Sequence, residues 1–258
     1  MPFSRYVALG DSTTEGLDDP APDGAGHVGF ADRLAVRLAR ENPELLYANL
    51  AIRGRKMGQI RDEQLEPALA LQPDLATVVG GLNDILRPRV DLDQVCADFD
   101  GIVCALRAQG ATVVGVTFPD PAKIMPTARF VRGRVHAYNE VLRSIASRRG
   151  MVLVDLGERG VVDPRLWSVD RLHANGEGHQ RITDAIAEAL GLQPDGDPWA
   201  PLPPGVRVPR HVAVAREAAW VGRHMTPWVM RRVRGRSSGD GVVAKRPALT
   251  RVTEPPLS

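Results

Sequence analysis

The sequence predicts an α/β protein, a parallel sheet covered by helices on its faces. Two observations point that way. Five short apolar segments rich in Val, Leu and Ala recur at 5–10, 45–50, 75–80, 111–117 and 151–155, and helix-like stretches separate them. The length of 258 residues suits one such domain with a full hydrophobic core, or one domain and an appendage. With 43% apolar and 25% charged residues, the composition excludes wholesale disorder and the fibrous classes.

The first strand, 5–10, runs into Gly10-Asp11-Ser12. The first long helix, 30–42, sets Phe30, Leu34 and Leu38 with Ala31 and Ala35 on one face and charges on the other, and Pro43 stops it. Strand 45–50 and helix 57–71 follow, then strand 75–80 and helix 92–109, which Gly110 closes. Strand 111–117 leads to helix 130–149, closed by Gly150, and strand 151–155 to helix 175–190, closed by Gly191. Cys96 and Cys104 then share one helix, about 12 Å apart along its axis. A disulfide needs Cα atoms closer than about 7 Å, so both read as structural thiols. In this architecture ligands bind outside the carboxyl ends of the strands, which places any chemistry in the loops starting near Gly10, Leu50, Gly80 and Thr117.

Past Gly191 the pattern changes. Residues 193–208 are Pro-rich and read as a linker. A basic helical extension is expected over 209–234, with one helix at 211–223 and another starting at Thr226-Pro227, a good N-cap and a good first helical residue. Residues 235–258, made of Gly, Ser, Pro and charge, are expected to lack fixed structure. The formal net charge of +2 hides an asymmetry: residues 201–258 hold 11 Lys/Arg against 3 Asp/Glu, or +8, which leaves about −6 for the rest. The extension reads as a solvated appendix or as a peripheral contact with anionic lipid. It carries no nucleic-acid-binding motif, so nucleic acid is not an expected partner. No run of about 18 apolar residues occurs, and no basic region followed by an apolar stretch opens the sequence. A cytoplasmic protein is expected.

Four segments carry candidate chemistry. In Gly10-Asp11-Ser12-Thr13-Thr14-Glu15-Gly16, a serine sits at a strand end. A serine hydroxyl is a weak nucleophile that needs a base within hydrogen-bond reach and donors for the oxyanion. Taken alone the segment fits a capped turn equally well. Asp170-Arg171-Leu172-His173 can supply base and orienter together, since an Asp three residues before a His can accept its Nδ1 proton and leave Nε2 facing the serine. Gly80-Gly81-Leu82-Asn83-Asp84 and Asn49-Leu50-Ala51-Ile52-Arg53-Gly54 follow the third and second strands. An Asn amide and a glycine N–H are suitable oxyanion donors, although each segment alone is ordinary turn chemistry.

These four elements, in this order, resemble the conserved blocks of the SGNH, or GDSL-type, hydrolase family, named for its Ser, Gly, Asn and His. Ser12, Gly54, Asn83 and His173 match them in turn, and the resemblance covers about residues 5–190. It implies a flavodoxin-like three-layer α/β/α fold with a five-stranded parallel sheet over residues 1–192, esterase or lipase activity through an acyl-enzyme, and neither cofactor nor metal. Ser12 would be the nucleophile, His173 the general base and Asp170 its orienter; the Ser12 and Gly54 N–H groups and the Asn83 side chain would hold the oxyanion. The substrate would be a small-molecule or lipid ester. Alternatives are a carbohydrate O-deacetylase or thioesterase of the same family and, in another class, a non-catalytic module that binds acyl or glycan ligands. Asp-Ser-Thr-Thr stands where Asp-Ser-Leu is commoner, a change at a packing position.

Two further patterns are set aside. Residues 24–29 spell GxGxxG but follow a loop where a dinucleotide site requires a strand, so the segment is read as a loop rimming the pocket. Asp170, His173 and His179 lack any zinc spacing, because His179 belongs on the last helix. Trp167 reads as packing or as a substrate platform, and 118–121 as pocket wall.

Overall fold

The computed structural model describes residues 2–24, 26–159, 161–205, 220, 222–223 and 238–252. In chain order the elements are β1 (Arg5–Gly10), α1 (Ser12–Glu15), α2 (Gly29–Glu41), β2 (Leu46–Asn49), α3 (Met57–Ala70), β3 (Leu75–Val79), α4 (Leu82–Ile85) and α5 (Leu92–Ala108). These are followed by β4 (Thr112–Val116), α6 (Pro121–Ile124), α7 (Arg132–Arg149), β5 (Val152–Val154), α8 (Gly176–Ala189) and β6 (Arg246–Arg251). Single 3-10 turns cover Pro126–Val131 and Pro164–Leu166. The result is a three-layer α/β/α fold around a mixed, mostly parallel sheet.

The sheet order is β5-β4-β3-β1-β2-β6. The first five strands are parallel, with Val7 opposite both Ala48 of β2 and Ala76 of β3. Because β1 lies between β2 and β3, the chain leaving β1 and the chain leaving β3 turn toward opposite faces and open a crevice at their carboxyl ends. Both β1 and β3 are buried along nearly their whole length, which is why they read as continuous apolar runs rather than alternating ones. Helices α2 and α8 pack on each other, and α3, α5 and α7 pack in series. Phe30, Leu34 and Leu38 of α2 are buried, as are Phe99, Ile102 and Leu106 of α5. Cys96 and Cys104 are free thiols on α5.

One expectation is corrected. The sheet has six strands, not five, and the sixth comes from the span expected to lack structure. β6 pairs antiparallel with β2, Leu46 opposite Arg251 and Asn49 opposite Arg246, with an irregularity between. Its sequence, RPALTR, has no apolar alternation to announce a strand. What makes it one is the open edge of β2, whose backbone groups need partners. Pro247 lacks an N–H and is tolerated because the strand is at an edge. Leu249 and Val252 pack on the main core, and the Arg246 guanidinium lies 5.3 Å from the centre of the Tyr47 ring. Just before β6, Lys245 Nζ donates to the carbonyls of His27 (3.0 Å) and Val28 (2.8 Å) and pairs with Asp32 (2.9 Å).

The segment read as a linker is also held down as far as it is described. The Gln193 carbonyl accepts from Arg37 Nε at 2.8 Å, the Asp195 N–H donates to Asp184 at 2.9 Å, and the Ala200 carbonyl accepts from Arg181 at 2.6 Å. Of the expected extension over 209–234, only residues 220 and 222–223 fall among the described residues. No helix among the described residues is long and apolar enough to cross a membrane.

Removal of residues 244–258 should therefore cost global stability. With about 2–4 °C of Tm per kcal/mol in a domain of this size, calorimetry of the shortened chain is expected to give a Tm lower by about 5 °C or more. An unchanged Tm would mean that β6 adds nothing to the sheet.

Candidate active site

The site forms in the crevice beside β1. At its floor, Gln64 of α3, fully buried, receives the Gly10 N–H on Oε1 (2.8 Å) and donates Nε2 to the Gly10 carbonyl (2.9 Å), which fixes where β1 ends. Asp11 then caps α1, its Oδ1 accepting from the Thr13 N–H at 3.1 Å. Ser12 is consequently the first helical residue, and its side chain is directed at the loop that carries residue 173.

That direction holds His173. Nε2 of His173 lies 2.8 Å from Ser12 Oγ, and Nδ1 lies 2.6 Å from Asp170 Oδ2. The other oxygen of Asp170 accepts the N–H groups of Leu172 (2.8 Å) and His173 (3.1 Å), so one carboxylate shapes the loop and orients the ring. These hydrogen bonds and the neighbouring imidazole hold the Asp170 pKa far below the usual carboxylate range, against its burial. Burial alone would lower the His173 pKa. The Asp170 hydrogen bond and charge, with Asp18 and Asp11 farther out, outweigh it and raise the value above 6.5. With Nδ1–H bound to Asp170, Nε2 is the acceptor facing Ser12.

Gly54 lies in the turn 52–55, closed by the Arg55 N–H to the Ile52 carbonyl at 3.4 Å, and its φ of 75° is what the third position of a type II turn demands of glycine. The N–H groups of Ser12 and Gly54 have no hydrogen-bond partner among the described residues. Asn83 differs. Its Nδ2 donates to Asp11 Oδ2 (3.0 Å) and to the Arg55 carbonyl (3.2 Å), which ties the three loops together. Gly81, with φ of 103°, starts this helix where a Cβ would stand 2.6 Å from the Tyr138 hydroxyl, so only glycine brings Asn83 this close.

Several residues that hold the site give no sign in the sequence. Glu15, buried, receives the Arg53 N–H (2.7 Å) and the Arg53 guanidinium, pinning the Gly54 turn to α1. Asp84 accepts the Met57 N–H at 2.9 Å. Trp220 donates its indole N–H to the Val169 carbonyl and lies under the Arg171 guanidinium, 4.5 Å away. It packs with Met125, Ala128 and Val131, and Leu86 and Leu172, the latter next to His173 in the chain, border this apolar cluster. The pairings join residues far apart in the chain, so spacing could not reveal them.

Other readings resolve plainly. His179 is fully buried, accepts the Phe30 N–H on Nδ1 (3.2 Å) and faces the Leu17 carbonyl with Nε2 (3.3 Å), away from Asp170. Burial lowers its pKa. Trp167 packs on the core with its N–H on the Val161 carbonyl at 2.8 Å. Phe118 is buried against Tyr138. Residues Pro20 and His27 form an antiparallel bridge at the neck of the GxGxxG loop.

A serine, a histidine and an aspartate bonded in series at the carboxyl ends of an α/β/α sheet is the arrangement of serine-type ester hydrolases. The chain belongs to the GDSL-like lipase/acylhydrolase family, which it matches over residues 8–181. It is 28% identical over 206 residues to the GDSL lipase Rv0518 of Mycobacterium tuberculosis, covering 74% of this chain and 83% of that one. Among solved structures it resembles LAE5, an alpha/beta hydrolase enzyme from the metagenome of Lake Arreo, Spain, with a TM-score of 0.61, 23% identity and coverage of 73% and 95%. It also resembles Axe2, an acetylxylan esterase from Geobacillus stearothermophilus, with a TM-score of 0.60, 20% identity and coverage of 75% and 98%. The protein is an ester hydrolase of the GDSL/SGNH type.

Asp11 yields a test of the site's internal costs. It is almost fully buried, and burial pushes its pKa from 3.8 up to about 6. The native state therefore keeps a proton that the unfolded chain has released, so stability falls as pH rises from about 4 to about 6, by up to about 3 kcal/mol. Asp11→Asn removes that ionisation. Its Tm relative to the parent is expected to climb across this window, while loss of the carboxylate that holds Asn83 lowers hydrolysis about tenfold at pH 7. Paired thermal melts at pH 4, 5, 6 and 7.5 measure the first effect.

Proposed function

We propose that this hydrolase cleaves carboxylic esters through an acyl-enzyme, with Ser12 as nucleophile, His173 as general base and Asp170 as its orienter. The supporting observation is the unbroken series of short contacts from Ser12 Oγ through His173 to Asp170, at 2.8 and 2.6 Å. As Ser12 Oγ attacks the acyl carbon, its proton passes to Nε2, and the imidazolium then gives it to the departing alcohol. Water repeats the sequence to release the acid. The carbonyl oxygen, now negative, is received by the N–H groups of Ser12 and Gly54, which have no partner among the described residues. Asn83 joins as third donor by turning one amide hydrogen from the Arg55 carbonyl, a bond longer than the one to Asp11. No metal or cofactor enters the scheme.

For the substrate we favour an ester with an apolar acyl group. The apolar cluster of Met125, Ala128, Val131 and Trp220 is bordered by Leu172, the chain neighbour of His173, and the Mycobacterium relative is named a lipase. Carbohydrate O-deacetylation and thioester hydrolysis are the alternatives. A panel crossing acyl length with leaving group separates them: the favoured reading expects medium acyl chains to be preferred over acetyl on a common alcohol, and preference for acetylated sugars would replace it.

A fluorophosphonate probe tests the roles. Labelling is expected to disappear in Ser12→Ala and to slow by about 10³-fold or more in His173→Ala. Labelling of Ser12→Ala at the parent rate would overturn the assignment. The rate should rise with pH as His173 loses its proton, with a midpoint above 6.5, because the folded site holds that proton more tightly.

We also propose that the basic residues of 201–258 favour contact with anionic lipid. A chain ending near residue 192 would lose β6 as well as charge, so substitution is the cleaner test. Replacing Arg231, Arg232, Arg234 and Arg236 by Gln should reduce co-sedimentation with phosphatidylserine vesicles about tenfold or more at low salt, and equal sedimentation would remove the proposal.

A further inference from the structure

The loop after α1 brings a second carboxylate to the back of His173. Asp18 has φ of 65°, a left-handed conformation that non-glycine residues rarely adopt and that Asp and Asn tolerate best. Its neighbour holds it there. The buried Asp19 carboxylate accepts the Gly29 N–H at 3.0 Å and two Arg33 donors at 2.9 Å each, and the Asp19 carbonyl accepts the Val28 N–H at 2.8 Å. The Asp18 side chain is thereby delivered to one place, with Oδ2 2.6 Å from Ser168 Oγ and 3.7 Å from His173 Nδ1. It caps no backbone amide among the described residues.

Ser168 connects the two acids. Its hydroxyl is also 2.7 Å from Asp170 Oδ1, and it accepts the Asp170 N–H at 3.3 Å. One hydroxyl carries one proton, so it serves only one of the two carboxylates at a time. A turn of the hydroxyl therefore redistributes charge between Asp170, which bonds His173, and Asp18, which stands behind it. The other titratable groups facing His173 are Asp11 at the start of α1 and His179 of α8.

We propose that Asp18 is a positioning residue of this hydrolase: a second carboxylate that shares with Asp170, through the Ser168 hydroxyl, the positive charge His173 acquires when Ser12 attacks. The inference rests on the triad reading above. In the resting site Nδ1–H bonds Asp170 and Nε2 accepts from Ser12. When the Ser12 proton moves to Nε2, the ring becomes a cation, and the Ser168 proton turns toward Asp18 so that Asp170 keeps its full charge on Nδ1–H. Among the protein groups only the Ser12 O–H bond is broken; the new bond from Ser12 Oγ to the acyl carbon forms as the carbonyl π pair moves onto its oxygen. If Asp170 is lost, Asp18 needs to move only about 1 Å to reach hydrogen-bond distance from Nδ1.

The test uses the full chain and the rate of fluorophosphonate labelling from pH 4.5 to 9, which needs no knowledge of the substrate. Asp18→Asn keeps the backbone conformation available and removes the charge. Its plateau is expected to fall about 3- to 10-fold, and its acid-side midpoint to drop by about half a pH unit, because one anion facing the imidazolium is gone. In an Asp170→Ala background, where Asp18 becomes the sole orienter, the same substitution should cost about 30-fold or more. Thermal melts accompany each variant, and Asp18→Gly serves as a second removal that relieves the backbone. An unchanged midpoint with equal cost in both backgrounds overturns the role of Asp18. Undiminished labelling of Ser12→Ala would instead overturn the triad reading, so the two failures are distinct.

Discussion

The contact between Ser12 Oγ and His173 Nε2, 2.8 Å long, joins residues 161 positions apart. A hydrogen bond of that length tolerates little displacement, so two loops on different strands must each be placed to within a fraction of an ångström. Much of the molecule near the crevice is arranged to this end. Gln64 fixes the end of β1 from below, Asp11 begins the short helix that presents the serine, and Asp170 folds the loop that presents the histidine. The sheet supplies the frame, because a strand order that reverses direction at β1 leaves a gap at the one place where both loops can meet.

The means of fixing the loops is repeated. Asp11, Glu15, Asp19 and Asp84 are all buried or nearly so; Glu15, Asp19 and Asp84 each accept a backbone N–H from another segment, while Asp11 caps its own helix and accepts the Asn83 side-chain amide. A buried carboxylate is costly to desolvate, and pairing it returns little net stability. It nevertheless defines a position sharply, since its oxygens must be satisfied in one geometry. The raised pKa of Asp11 is the visible sign of that cost. Ionised in water, the same group would be unremarkable; beside Ser12 it exchanges stability for placement of Asn83.

Much of this was legible in the residues. The five parallel strands fall within a residue or two of the apolar segments that predicted them, and the central β1 and β3, buried along nearly their whole length, show why such strands read as continuous apolar runs. That Ser12, His173 and Asp170 meet was legible because reading the serine as a nucleophile calls for a base and its orienter, and the Asp-x-x-His spacing puts two of the three on one loop. Gly54 and Asn83 could be placed through the family's order of blocks, but not the engagement of Asn83 by Asp11 and Arg55. That engagement, like Glu15 with Arg53 and Asp18 with Ser168, depends on which loops the sheet brings together. β6 was missed for a related reason: an edge strand of RPALTR owes its existence to the open side of β2 rather than to its own propensity.

The late position of β6 bears on how the chain is made. β2 emerges from the ribosome almost 200 residues ahead of the segment that completes its edge, and at about 5–20 residues per second that interval lasts roughly 10–40 s. Through that time a strand carrying Leu46 and Tyr47 presents unpaired backbone to any neighbouring chain, a recognised route to intermolecular pairing. Crowded polysomes would then favour association between nascent copies, and slower elongation would lengthen the exposure. Residues 246–251 thus end that exposure, pairing the β2 edge of the sheet while β5 bounds the other.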